Sequence, residues 1–207
     1  MAPKNVSSSR KSTVLKNRTK AKKTTTKSVV PILNGKRVTL VQMAVAALSY
    51  RRKQHGHDDE TLTTTRDLVF KMCGWTNRTS FNVTMSTEAN KSNALICFPD
   101  SKTMDLTAAG KAVAPQESFQ GIITSNKERQ DLLKESFLIG GKARIMYDVL
   151  CDGKIHTSVE LANACGYKES NASYRVMRST LTGKKVAEKT ACGGFRLTDM
   201  CFITDRD

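Results

Sequence analysis

The sequence predicts an α+β chain, mainly helical with small β-hairpins, in which one compact unit occurs twice behind a disordered basic arm. Three observations predict it. Positive charge is concentrated at the N-terminal end, apolar residues recur at helical spacing through most of the remaining chain, and three sequence patterns occur twice in the same order.

The charge sets the arm. The 207 residues carry 34 Lys+Arg against 19 Asp+Glu, a formal net charge of +15. Residues 1–30 hold nine of the cations and no acid; the first acidic residue is Asp58. This stretch is rich in Ser and Thr, lacks aromatics and has only scattered Val and Leu, so it buries too little apolar surface to offset its ordering entropy. The arm is expected to span 1–34. Its chemistry is electrostatic: Lys20, Lys22 and Lys23, like the other cations here, suit phosphate contact with salt-sensitive, sequence-independent affinity. Lys20-Ala-Lys22-Lys23 also fits a nuclear import signal, which points to the nucleus. An acid-free leader suits an organelle transit peptide as the alternative, against which stand its Lys-rich character and the lack of a clear amphipathic helix.

Other classes are excluded by what is missing. No apolar run approaches the roughly 20 residues that cross a bilayer, so no membrane is expected. No charged stretch followed by an apolar one marks a secretory signal. The cysteines Cys73, Cys97, Cys151, Cys165, Cys192 and Cys201 form no Cys-x-x-Cys pair, which argues for reduced thiols and against a zinc knuckle.

The elements come in order. Leu40–Tyr50 reads as a helix with Leu40, Met43, Ala44, Ala47 and Leu48 on one stripe and a basic end at Arg51-Arg52-Lys53. His55–Glu60 reads as a polar loop. A second helix starts behind Thr64 or Thr65, buries Leu68 and Met72, and stops at Gly74. A third runs from about Asn77 to Asn90. Ala94–Phe98 and Thr103–Leu106 read as strands around a Pro99–Ser101 turn. After a connector near Pro115–Ile123, a linking helix covers about Ser125 to Phe137 and ends at Gly140-Gly141. Ala143–Cys151 opens the second unit, with Ile145, Tyr147, Val149 and Leu150 available for burial. Ser158 caps the next helix, with Val159, Leu161 and Ala162 inward, and Gly166 breaks it. Asn171–Thr182 is the third helix, and Lys185–Thr190 with Phe195–Leu197 forms the closing hairpin.

The duplication rests on three matches at offsets of 91 to 93 residues. Thr65–Trp75 resembles Ser158–Tyr167, Ser80-Phe81-x-Val83-x-x-Ser86-Thr87 resembles Ser173-Tyr174-x-Val176-x-x-Ser179-Thr180, and Met104–Thr107 resembles Phe195–Thr198. The expected division is 1–34 arm, 35–115 first domain, 116–140 linker with helix, and 141–207 second domain.

Helix, short helix, tight Gly turn, third helix and two-stranded wing together resemble the winged helix-turn-helix superfamily, in two tandem copies. The resemblance is carried by Cys73-Gly74-Trp75, Cys165-Gly166-Tyr167 and the strand exit Leu106-Thr107-x-x-Gly110; the second copy has Cys201 where that glycine falls. It implies that the third helices enter a DNA major groove while the wings touch phosphates.

The residues can be asked the same question. On the last helix, Tyr174, Met177 and Leu181 must face the core, leaving Asn171, Arg175, Arg178 and Thr182 as a polar stripe. Asn and Arg pair bidentately with adenine and guanine edges. Lys184, Lys185 and Lys189 come next, placed for phosphates. In the first copy Asn77, Arg78 and Asn82 begin such a stripe, which fades at Met85 and Ala89; Lys91 and Lys102 stand ready for the backbone. The first domain is therefore the poorer reader and the candidate for a protein partner. The bland reading of every stripe is a solvated helix face. No phosphate loop appears. His55, His57 and Asp58 are crowded but lie in a polar loop, so no metal, cofactor or catalytic site is expected. The expectation is a non-enzymatic protein bound to double-stranded DNA, either chromatin-associated or a regulator. The alternatives are a docking scaffold within a larger assembly and an organelle RNA-binding protein.

Overall fold

The computed structural model describes residues 30–55 and 64–204. The arm up to residue 29, with Lys20, Lys22 and Lys23, lies outside the described residues, as do His57 and Asp58. The architecture is α+β: eight α-helices and small antiparallel sheets among the described residues.

Folding begins earlier than residue 34, which corrects the expected end of the arm. Ile32–Leu33 (β1) pairs antiparallel with Lys36–Arg37 (β2). Between them Asn34 and Gly35 both take positive φ, 51° and 75°, the two-residue turn for which Asn-Gly is the strongest sequence signal. The Asn34 side chain ties this hairpin to the far connector, accepting from Ser118 Oγ and Gln120 N–H and donating to the Ser118 carbonyl.

Leu40–His55 (α1) is longer than expected and buried on nearly every side: Met43 through Leu48 are all buried, not one stripe of them. The reason is enclosure. Around it pack Arg66–Met72 (α2), Arg78–Ala89 (α3), the strand Thr103–Leu106 (β5) and Ala108–Val113 (α4). Thr64–Thr65 (β3) precedes α2 and pairs with β5, which also pairs with Ile96–Cys97 (β4), giving a three-stranded sheet where a hairpin was expected. Thr65 caps α2 and Asn77 caps α3, each accepting from a backbone N–H three residues on. Gly74 sits between them at φ 69°, a conformation in which a β-carbon is strained.

Thr107 caps α4 through the Gly110 N–H, and Gly110 has no room for a side chain: a β-carbon there would lie 1.9 Å from the Leu95 carbonyl oxygen. The glycine of the Leu-Thr-x-x-Gly pattern thus lets α4 pass close to the backbone at Leu95, just before β4.

The linking helix Asn126–Ser136 (α5) carries a reciprocal cap between Ser125 and Glu128. Then come Gly141–Leu150 (α6), Ser158–Ala164 (α7), Ala172–Gly183 (α8), Ala187–Lys189 (β6), Phe195–Leu197 (β7) and a 3-10 turn at Asp199–Cys201. Two expectations fail here. The cap of α7 is Thr157, boxed with Glu160, so Ser158 is already helical and Val159 points outward. In α6 it is Ala143, Met146, Tyr147 and Leu150 that are buried, while Ile145 is exposed. One residue of phase in a short helix is enough to exchange these faces.

The two halves repeat one order: helix, short extended segment, short helix, capped helix, antiparallel hairpin. Even the third strand has its counterpart, a single bridge between His156 and Phe195. Each half has its own apolar core, one centred on Met43, Phe70, Phe81 and Met104, the other on Tyr147, Leu161, Tyr174 and Leu197. Between them lies Arg129 of α5, with none of its surface exposed.

Candidate nucleic-acid interface

The N-terminal half of α8 packs one face on its core and leaves the other exposed. Tyr174, Met177 and Leu181 are buried as expected. Asn171 is exposed and caps the helix, its Oδ1 accepting from the Ser173 N–H at 2.7 Å. One turn on, Arg175 is exposed and makes no side-chain hydrogen bond or ion pair among the described residues. Lys142 and Lys168 of the same half are exposed, Lys142 donating to Ser173 Oγ at 3.2 Å.

Arg178 departs from the expected stripe. Its guanidinium lies 4.2 Å from the Phe195 ring centroid and 5.4 Å from that of Tyr174, and Nη1 donates to Ser158 Oγ at 3.2 Å. Half-buried, it ties α8 to α7 and the hairpin instead of projecting outward, so it is a positioning residue and not a free reading group. Thr182 is exposed, but its hydroxyl donates to the Arg178 carbonyl within the helix. Lys189 is exposed on β6.

The first half spends its polar residues more fully. Asn77 Oδ1 accepts from the Ser80 N–H at 2.9 Å. Arg78 pairs with Asp67, which also holds Lys71 at 2.7 Å, and its guanidinium covers the Phe70 ring. Partial burial, then the like charge of Arg66, lower the Arg78 pKa. Asn82 accepts from Arg66, which stacks 4.3 Å from the Phe98 centroid. Lys91 is exposed and pairs with the buried Glu88 carboxylate at 2.6 Å. Lys102 is exposed.

The structure brings four of the expected residues together in a way the linear pattern does not. Asn77 and Arg78, at the start of α3, and Lys184 and Lys185, just past α8, line one cleft of about 410 Å³ between the two halves. Phe70 and Phe137 form apolar wall, and none of the lining residues is acidic. Lys184 Nζ donates to the Phe137 carbonyl, whereas the Lys185 ammonium has no partner among the described residues.

Between the halves also lies a feature that no sequence pattern announces. Arg129 donates from Nε to the Met200 carbonyl at 3.0 Å and from Nη1 to the Trp75 and Lys71 carbonyls at 3.1 and 3.4 Å. Burial lowers its pKa to about 10, still far above neutrality, so a full charge sits between the halves. Asn126, on the same helix, accepts from the Ile203 and Thr204 N–H groups. Nothing in the polar string Asn126–Ser136 distinguishes Arg129 from its exposed neighbours.

His55 closes α1 as an exposed residue. Among the described residues no helix is long and apolar enough to cross a membrane. No protein-family description, curated protein or solved structure matches the chain.

Proposed function

We propose that the chain is a nucleic-acid-binding protein built from tandem winged-helix units, with double-stranded DNA as its partner and no catalytic role. The observation that carries the reading is Arg175: an exposed guanidinium without a partner among the described residues, one turn from Asn171, on a helix whose opposite face is wholly buried. α8 is the reading helix. Arg175 and Asn171 face base edges, Arg178 holds the helix against its hairpin, and Lys189 meets the backbone. The basic arm adds salt-dependent grip.

In the test, the full chain is titrated against a panel of duplexes of varied sequence. Arg175→Ala lowers discrimination among them by about 1–3 kcal/mol, with a smaller effect on the salt slope. An unchanged ranking of duplexes removes α8 as the reader, and failure to bind any duplex at low salt removes the whole reading.

One observation favours a second reading, a docking scaffold. Val83 of α3 and Val176 of α8 occupy matching positions in the repeat and are 61% and 65% exposed, apolar surface that a protein partner would cover. This reading requires duplex binding to vanish once the basic arm is deleted.

A further inference from the structure

Cations from both halves converge where neither half alone would gather them. The cleft between α3 and the end of α8 is lined by Arg78 and Asn77 from one repeat and Lys184 and Lys185 from the other, with Thr76 at its edge. Two of these cations are partly satisfied. Arg78 shares Asp67 with Lys71, leaving two positive charges on one carboxylate, and Lys184 donates one of its three protons to the Phe137 carbonyl. The Lys185 ammonium has no hydrogen-bond or ion-pair partner among the described residues. No acidic group is in the lining, and Arg78, Lys184 and Lys185 together outnumber the Asp67 carboxylate paired with Arg78.

Lys185 is also an unusual choice for its backbone. It sits at φ 59°, where glycine or asparagine is the low-energy residue. Its N–H donates to the Thr182 carbonyl and its own carbonyl accepts from Thr198 Oγ1, so the position is fixed by the fold. Glycine there would relieve the backbone without removing any of these bonds.

We infer that the cleft between the repeats is a phosphodiester site, in which Arg78 and Lys185 contact the backbone of one strand of a bound duplex and so bridge the two halves. The inference rests on the nucleic-acid reading and adds to it a contact made away from the base-reading face of α8. Volume supports the assignment, since about 410 Å³ accommodates a phosphate with its adjoining sugar. The half-buried Phe137 in the lining suits the sugar's apolar face.

The experiment measures duplex affinity of the full chain from about 50 to 200 mM salt, for the wild type, Lys185→Gly, Arg78→Gln and the double variant. Removal of one phosphate interaction reduces the slope of log K against log salt by about 0.9, so the fall in affinity across this range shrinks by about threefold per single variant. Where each single variant lowers the slope, the double variant shows the change of one phosphate if both side chains meet the same group and of two if they meet neighbours; a wild-type slope in Arg78→Gln overturns the bridge between the halves. Thermal unfolding guards the comparison, because Lys185→Gly keeps or raises the melting temperature. Wild-type slope in Lys185→Gly overturns the cleft site and leaves the α8 reading standing. A wild-type chain that binds no duplex overturns both.

Discussion

At the scale of single residues, Arg129 is a fully buried guanidinium whose Nη2 has no hydrogen-bond partner among the described residues. A guanidinium removed from water loses hydration that only well-placed acceptors can replace. Here the acceptors are three carbonyls from distant parts of the chain, Lys71, Trp75 and Met200, and the Phe70 ring lies 5.4 Å away. A planar fork serves such a set; an ammonium reaches fewer of its members at once. Arg129→Ala leaves the carbonyls unpaired and a void behind, and costs on the order of 3–5 kcal/mol in urea unfolding. Arg129→Lys restores only a minor part. Full rescue by lysine would show that charge alone, and not the fork, is what the site requires.

The same scale explains what the sequence could not reveal. Arg129 lies in a helix of mostly charged and polar residues, and its partners are 54 to 71 positions away, so no local pattern points to it. Arg178 misleads for a related reason. Helical spacing places it on the polar stripe, yet Phe195 returns on the hairpin to cover that edge, and a long side chain folds onto the ring. Asn77 and Asn171, by contrast, are legible because capping is local: an Asn followed by a helical run is sufficient.

At the scale of elements, the short helices depend on their caps. α7 has only seven residues, too few for intrinsic stability, and α5 presents little apolar surface. Both begin with a reciprocal box. Backbone N–H bonds from Thr124 and Thr157 are the largest influences holding Glu128 and Glu160 below their ordinary 4.5. A carboxylate depressed on folding contributes stability above its unfolded pKa and loses it as pH falls through the folded value. The contribution of these two caps to thermal stability is therefore constant above about pH 5 and declines below about 4.5. Glu160→Gln keeps a capping acceptor but removes its titration, so its decline between about pH 5 and 3 is shallower than that of the wild type. Parallel curves for the two proteins would remove Glu160 from the account. Element positions are largely legible, α3 and β5 to within a residue, because caps and turns are written locally. The phase of α6 and α7 is not, since in helices this short the burial of Val159 or Ile145 is decided by neighbours rather than by period.

At the scale of the whole molecule, two cores are joined by one helix. Each core alone holds enough buried apolar residues to make a domain, and the sequence repeat points to two independent units. The junction argues otherwise. α5 sends Arg129 to carbonyls of both halves and Asn126 to the last described residues, while the Ile123 N–H donates to the Met72 carbonyl. Unfolding either half would strip Arg129 of the carbonyls that half supplies and open the junction to water, so each half is more stable with the other in place. The halves should then unfold together: scanning calorimetry gives one transition whose van't Hoff and calorimetric enthalpies agree. Arg129→Ala, by removing the shared charge, separates it into two. Two transitions already present in the wild type would mean that the junction is weak, and the fixed spacing of α3 and α8 that the shared cleft requires would be lost with it.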